Sequence, residues 1–363
     1  MASYWALQSF PSPLISKLLP WQHNLIVHTV LLLVLAGIFI LVLNPRLVYF
    51  QTKKKNSSRI YRQENIPCYF NYMKANWRTT LSDKSTPSIP LGYGLGSCLS
   101  APFISISVFF VFLSMLISGD GQCPAVLAQF LLMLGVIVIT SQYRLYQMRS
   151  LSGLLDVSLP VLLPWILLDN LSFFTSGHQT TFPHIQWSAA FIGMEGSQIA
   201  GESYSGHILP ALLITWNTFA SSLLSSLLLP LLLLSPFSLY LLLPGLRHKQ
   251  TYQTNGTAGV LPDAFCELEK GESVLLENTE ETKSALFLLI NKYILLKGVR
   301  LLCSMMAAAV LRRHLMVWKI FAPKFIFEAV GFGVSLLGLI LGYLIFIRVL
   351  SVVSACYAKF KLS

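Results

Sequence analysis

Charge is scarce in this chain. Only 11% of its 363 residues are Asp, Glu, Lys or Arg, 54% are hydrophobic, and mean hydropathy is +0.64. A soluble domain carries roughly 25% charged residues, so there is too little polar surface here to cover a water-soluble globule of this size. Paired cysteines are lacking as well. Cys68, Cys98, Cys123, Cys266, Cys303 and Cys356 form no C-x-x-C spacing, which indicates neither a zinc site nor a disulfide framework. Cys98, Cys123 and Cys303 fall in or beside apolar segments and read as packing residues. His178, His184, Glu195 and Glu202 fit no recognised ligand spacing, so no metal is assigned to them. The first residues have no basic n-region and no small-residue cleavage site, unlike a removable signal. The net charge of +11 does not suggest nucleic acid, because the cations cluster in short loops beside apolar segments. There they set topology and meet anionic headgroups.

What is present is a series of long apolar runs, which predicts an all-α, multi-pass transmembrane helix bundle of about seven crossings. Residues 1–43 read as a luminal N-terminus and a first helix from Asn24 to Leu43. Residues 44–97 form a basic loop in which Arg46, Lys53, Lys54, Lys55, Arg59, Arg62, Lys74, Arg78 and Lys84 face only Glu64 and Asp83. Positive loops stay cytoplasmic, which sets the orientation. Residues 98–168 hold transmembrane helices 2–4, the last of them broken by Asp156, Pro160 and Pro164.

From Arg149 to Arg247 there is no Lys or Arg at all, so the polar interval 169–206 is expected in the lumen. Its aromatic and hydrogen-bonding residues His178, Gln179, His184, Gln186 and Trp187 are candidates for a headgroup or glycan surface. The competing reading is a re-entrant cap bonded to its own backbone.

Residues 207–244 are the ambiguous stretch. As one helix they would be about 57 Å long, nearly twice a bilayer core. Pro210, Pro230, Pro236 and Pro244 punctuate them, so one crossing and a hairpin both fit. Asn217 lies inside this run, where an amide more often bonds a neighbouring helix than a ligand. Residues 245–284 are acidic, lack apolar periodicity and are expected to be disordered.

The C-terminal transmembrane pair occupies 285–363 and carries Lys292, Lys297 and Arg300 among apolar residues. A cation inside a membrane helix costs about 2.5–3.5 kcal/mol on insertion scales, so it calls for a function or a partner. Gly331, Gly333, Gly338 and Gly342 permit close helix packing. Between the two helices lies RRHLMVWKIFAPKFIFE, in which Arg312, Arg313, His314, Lys319 and Lys324 mingle with Trp318 and three phenylalanines. This suits the headgroup layer, as an interfacial anchor or as a site for a phosphate-bearing lipid headgroup. A single pass through 207–244 puts the stretch on the luminal side, where positive-inside placement no longer explains its cations. The single pass and the lipid site are the preferred readings.

Four stretches together resemble the GPI ethanolamine phosphate transferases, closest to the type acting on the third mannose. They are YGLGSCLSA, SGHQTTFPHIQWSAAFIG, LPALLITWNTFASSLL and RRHLMVWKIFAPKFIFEAVGF. The resemblance runs from about Ile66 to the C-terminus. It implies an endoplasmic reticulum membrane enzyme that moves phosphoethanolamine from phosphatidylethanolamine to the third mannose of a GPI precursor. It also implies a luminal alkaline-phosphatase-like domain with a divalent metal, zinc by analogy, and a small membrane partner of the PIG-F type. No such catalytic domain is read in this chain, so no catalytic residue and no cofactor are assigned within it. The chain is expected to correspond to the last third of such a protein, as a partial or truncated form. The alternative is a noncatalytic lipid-binding or assembly module of the GPI pathway. A transporter is the weaker option, because no internal repeat supports it.

Overall fold

The structure is a computed structural model that describes residues 20–43, 49–51, 90–92, 94–118, 122–147, 155–191, 205–242 and 278–362. Most of the basic 44–97 interval and most of the acidic 245–284 interval lie outside the described residues, and so do Glu195 and Glu202. Helices dominate: α1 Pro20–Leu43, α2 Gly94–Ser118, α3 Cys123–Gln147, α4 Leu159–Thr175 and α5 Ser205–Leu227. Then follow α6 Leu229–Leu233, α7 Ser235–Leu242, α8 Thr279–Val310 and α9 Leu315–Leu362. The β-structure among the described residues is one antiparallel ribbon of β1 Tyr49–Gln51 against β2 Pro90–Gly92. The chain is an all-α membrane bundle.

Five helical spans are long and apolar enough to cross a bilayer: Leu99–Ser118, Cys123–Arg144, Ile208–Leu233, Thr279–Arg313 and Trp318–Ala355. Two shorter apolar helices, His28–Leu43 and Leu159–Thr175, accompany them. Their outer faces carry exposed Leu33, Phe39, Leu131, Ile139, Leu167 and Leu295, as lipid-facing surfaces do. The core between them holds Phe103, Ile137, Leu162, Trp165, Leu232, Tyr293 and Phe346.

Polar side chains link the helices as a ladder of rungs. Asn217 Nδ2 donates to Ile117 O and Ser118 O (3.4 and 3.5 Å) at the end of α2. One turn along α5, Gln129 Nε2 reaches Ser221 O at 3.1 Å, and Trp165 Nε1 then reaches Ser225 O at 2.9 Å. Arg144, at the far end of α3, donates to Leu232 O at 2.8 Å and Leu233 O at 3.0 Å. From Asn217 to Leu233 the chain therefore advances steadily from the start of α3 to its end.

Two local breaks bend this course without reversing it. Proline supplies no N–H, so Pro236 leaves Leu232 O without its i+4 donor. Phe237 N–H turns to Leu234 O at 3.0 Å, which releases Leu233 O. Arg144 supplies what both carbonyls lack, and also reaches Ser235 Oγ at 3.0 Å. A second break lies higher in α5, where Phe219 leaves helical geometry (φ −112°, ψ 22°).

The last helix packs closely along α5 through glycine. A Cβ on Gly338 would collide with the Ser226 side chain, one on Gly342 would stand 2.6 Å from Leu227 O, and one on Gly331 would stand 3.3 Å from the Phe219 ring. Gly333 differs from the expectation: a Cβ there meets nothing within 4 Å. Cys123 is buried, whereas Cys303 is exposed on α8 and does not serve core packing.

Candidate functional site

Helix α4 runs on through Thr175, so the polar interval that the sequence places at 169–206 begins inside a helix. Gly177, at φ +84°, then takes the left-handed conformation that L side chains rarely adopt. With Gly177 N–H on Phe174 O (3.0 Å) and Ser176 N–H on Ser172 O (3.1 Å), the chain folds back over the helix end. That reversal presses His178 into the bundle, where it is buried beside Phe173 with ring centroids 5.6 Å apart.

His178 is fully engaged. Its Nε2 lies 3.2 Å from Gln122 Nε2, an amide nitrogen that can only donate, so His178 Nε2 accepts. The ring proton is then on Nδ1, free to serve the second contact, with the Asn217 backbone. Burial holds the imidazole below the ordinary histidine value, and the Asn217 contact pulls the other way. His178 is a neutral clasp joining α3, α4 and α5.

The other polar candidates of this interval point elsewhere. Gln179, Gln186 and Trp187 are exposed, Trp187 beside the short turn Phe182–His184. The His184 side chain lies outside the described residues. Phe182 packs on Phe327 (5.9 Å), and Phe173, Phe219 and Phe327 form a cluster with centroids 6.0–6.4 Å apart. This aromatic plug ties the last turn of α4 to α5 and α9.

The four cations of α8 each have a carboxylate, Lys283 meeting Glu280 of its own first turn at 2.7 Å. Lys292 Nζ donates to Asp156 at 2.8 Å and to Val157 O at 2.9 Å. Lys297 pairs with Asp169, which also takes Ser222 Oγ at 3.5 Å. Arg300 pairs with Glu328 on α9. Lys297 also stands 5.8 Å from the Tyr293 ring centroid, and the Tyr293 hydroxyl lies 3.4 Å from Ser225 Oγ. Lys297 and Arg300 therefore have structural partners, and the buried one needs it: an unpaired charge there would carry several kcal/mol of desolvation.

These pairs also order α8 against α4. Lys292 meets residues just before α4, Lys297 meets Asp169 within it, and Arg300 meets Glu328, one residue from Phe327 of the aromatic plug. The α8–α9 turn therefore projects from the same end of the bundle as His178. Arg312, Arg313, His314, Lys319 and Lys324 are all exposed there, beside exposed Met306, Val310, Met316, Trp318 and Ile320. No acidic residue lies between Arg300 and Glu328.

Four residues that sequence reasoning passed over complete this end. Gln122, Gln129, Thr218 and Ser221 line a recess with Ser118, Ser172, Ser176 and Asn217. They are uncharged polar residues in or beside apolar helices, and no motif marks them. Among the described residues no three His, Cys, Asp or Glu side chains stand together. They offer no donor set for the divalent metal that the resemblance implies.

Five apolar helices long enough to cross a bilayer, with amides, hydroxyls, a buried histidine and a cationic turn at one end, make a multi-pass membrane region. Residues 136–347 match the family model of the GPI ethanolamine phosphate transferase membrane region. The chain is 34% identical over 321 residues to "GPI ethanolamine phosphate transferase 3, catalytic subunit" of Homo sapiens, covering 82% of this chain and 27% of that protein. Identity to the Mus musculus protein of the same name is also 34%, over 314 residues, with the same coverage of each. No solved structure matches. The chain belongs to the GPI ethanolamine phosphate transferase family, through its membrane region, and spans about a quarter of the length of these relatives.

Proposed function

We propose that this chain is the membrane domain of an endoplasmic reticulum enzyme that transfers phosphoethanolamine from phosphatidylethanolamine to the third mannose of a GPI precursor. A small membrane subunit of the PIG-F type is its partner in this reading. The observation that carries it is the gathering, at one end of a bundle of this family, of an exposed cationic turn beside a polar, aromatic-plugged surface. Arg312, Arg313, His314, Lys319 and Lys324 would meet lipid phosphates, because guanidinium and ammonium groups bind them through charge-assisted hydrogen bonds. Gln179, His184, Gln186 and Trp187 would face the headgroup or glycan, while His178 holds the loop in place. The rungs from Asn217 to Leu233 support a single pass through 207–244. With the basic 44–97 interval in the cytoplasm, the three crossings α2 to α4 would leave the His178 loop on the luminal side, and a single pass through 207–244 would bring the cationic turn to that side too.

A chimera tests this. Residues 136–347 of this chain replace the matching region of the human transferase, and the chimera is expressed in cells lacking that transferase. Surface GPI-anchored proteins are expected to return, and to fall when Arg312, Arg313 and Lys319 are changed to Gln. A chimera that is expressed normally yet restores nothing sinks the transferase reading. Capture of GPI-pathway subunits by that silent chimera would favour the noncatalytic assembly module instead.

A further inference from the structure

The recess between α2, α3, α4 and α5 has a feature that helix packing does not explain. Three of its side-chain atoms, Asn217 Oδ1, Thr218 Oγ1 and Ser221 Oγ, have no hydrogen-bond partner among the described residues. Their residues are only 2%, 4% and 5% exposed. A buried polar atom without a partner costs about 1–3 kcal/mol, and native structures rarely tolerate several at one place. Other buried hydroxyls, Ser118 and Ser172 of the same recess and Ser226 beyond it, each bond a carbonyl of their own helix at 2.7 Å. Three uncharged side-chain atoms without a partner among the described residues therefore share this one cavity.

We infer that this recess is a binding site for one neutral hydroxyl group. Its chemistry is complementary to one. Asn217 Nδ2 is turned to Ile117 O and Ser118 O, which leaves Oδ1 as an acceptor, while Thr218 and Ser221 present hydroxyls that donate or accept. A hydroxyl donates to the first and bonds the other two. The lining residues include no charged side chain, so a buried ion would find no counter-charge among them. The recess has room for about one water molecule, which limits the occupant to one small polar group. Two sources deliver that chemistry: an ordered water, or a sugar-type hydroxyl of a lipid headgroup reaching in from the bilayer surface. The inference does not depend on the transferase reading.

The sign of a stability change tests it. Thr218→Val and Ser221→Ala remove a hydroxyl at nearly constant shape, and Thr218→Ser keeps one. The full chain is reconstituted in nanodiscs of phosphatidylcholine, with and without phosphatidylinositol, and thermal unfolding is followed. The expected result is a loss of a few degrees for Thr218→Val and for Ser221→Ala, with Thr218→Ser closer to the parent. Equal losses in both lipids assign the site to water. A rise in Tm with phosphatidylinositol in the parent, absent from Thr218→Val, assigns it to a headgroup hydroxyl. If Thr218→Val and Ser221→Ala unfold at the parent temperature or above it in both lipids, the hydroxyls were unpaired and the inference falls. It falls equally if Thr218→Ser loses as much as Thr218→Val, since packing then explains the effect.

Discussion

Lys297 of α8 donates to Asp169 of α4, with side-chain exposures of 9% and 1%. The two residues are 128 positions apart, and each sits in an apolar helix that would be harder to insert alone. Each charge has the other as its partner within the bundle. With Lys292 and Asp156 they tie α8 to α4 and the residues before it, alongside the glycine-lined packing of α9 on α5.

Removing one member of that pair should be worse than removing both. Lys297→Met leaves Asp169 buried without a counter-charge and with Ser222 as a hydrogen-bond partner at 3.5 Å, and Asp169→Leu leaves a buried ammonium. Each should lose roughly 3–5 kcal/mol of stability, while the double variant recovers much of the loss. Thermal unfolding of the four proteins, read as a double-mutant cycle, measures this; additive losses would show that the pair is not coupled.

The glycines of α9 should separate into two groups. Alanine normally stabilises a helix over glycine by about 0.5–1 kcal/mol, so Gly333→Ala, which meets open space, should be neutral or slightly stabilising. At Gly338 and Gly342 the same methyl meets Ser226 and the Leu227 carbonyl. Overpacking of that kind costs about 1–3 kcal/mol, which outweighs the helical gain. Tm should fall for these two and hold for Gly333→Ala.

Acid should loosen the helix end at His178. Its folded value lies below the ordinary 6.5 through burial, so in the interval beneath 6.5 the unfolded chain binds a proton that the folded chain does not. Stability contributed by the neutral ring is full above that point and is lost as pH falls towards the folded value. Protonation would also turn Nε2 from acceptor to donor against Gln122. Tm measured from neutral to mildly acidic pH should decline, and His178→Gln should flatten that decline.

Glycan mapping tests the path of the chain. Asn255 heads an Asn-Gly-Thr sequon. If 207–244 crosses once, Asn255 is cytoplasmic and translation into microsomes should leave it unmodified. A glycosidase-sensitive shift in mobility, removed by Asn255→Gln, would require the hairpin.

The bundle itself was legible, because length and hydropathy of apolar runs depend on local composition alone. The course of 207–244 was not. Pro230 and Pro236 are compatible with a reversal or a bend, and only contacts with Gln129, Trp165 and Arg144, remote in sequence, distinguish them. The partners of Lys297 and Arg300 escaped for a similar reason. Asp169 read as the start of a loop and Glu328 as part of an interfacial run, so neither carboxylate was matched to a cation. A workable signal existed: opposite charges isolated in separate apolar segments are natural partners. The polar recess carried no such signal, since one Gln or Ser in an apolar helix ordinarily reads as helix–helix contact.

Arg144 gives the bent segment a mechanical character. By supplying the protons that Leu232 and Leu233 carbonyls do not receive from their own chain, it makes the joint between α6 and α7 a weld to α3. A proline break without such a brace swivels, and the helix beyond it tilts independently. Here Arg144 ties the start of α7 to the end of α3, so a tilt of α7 away from α3 would have to break these hydrogen bonds.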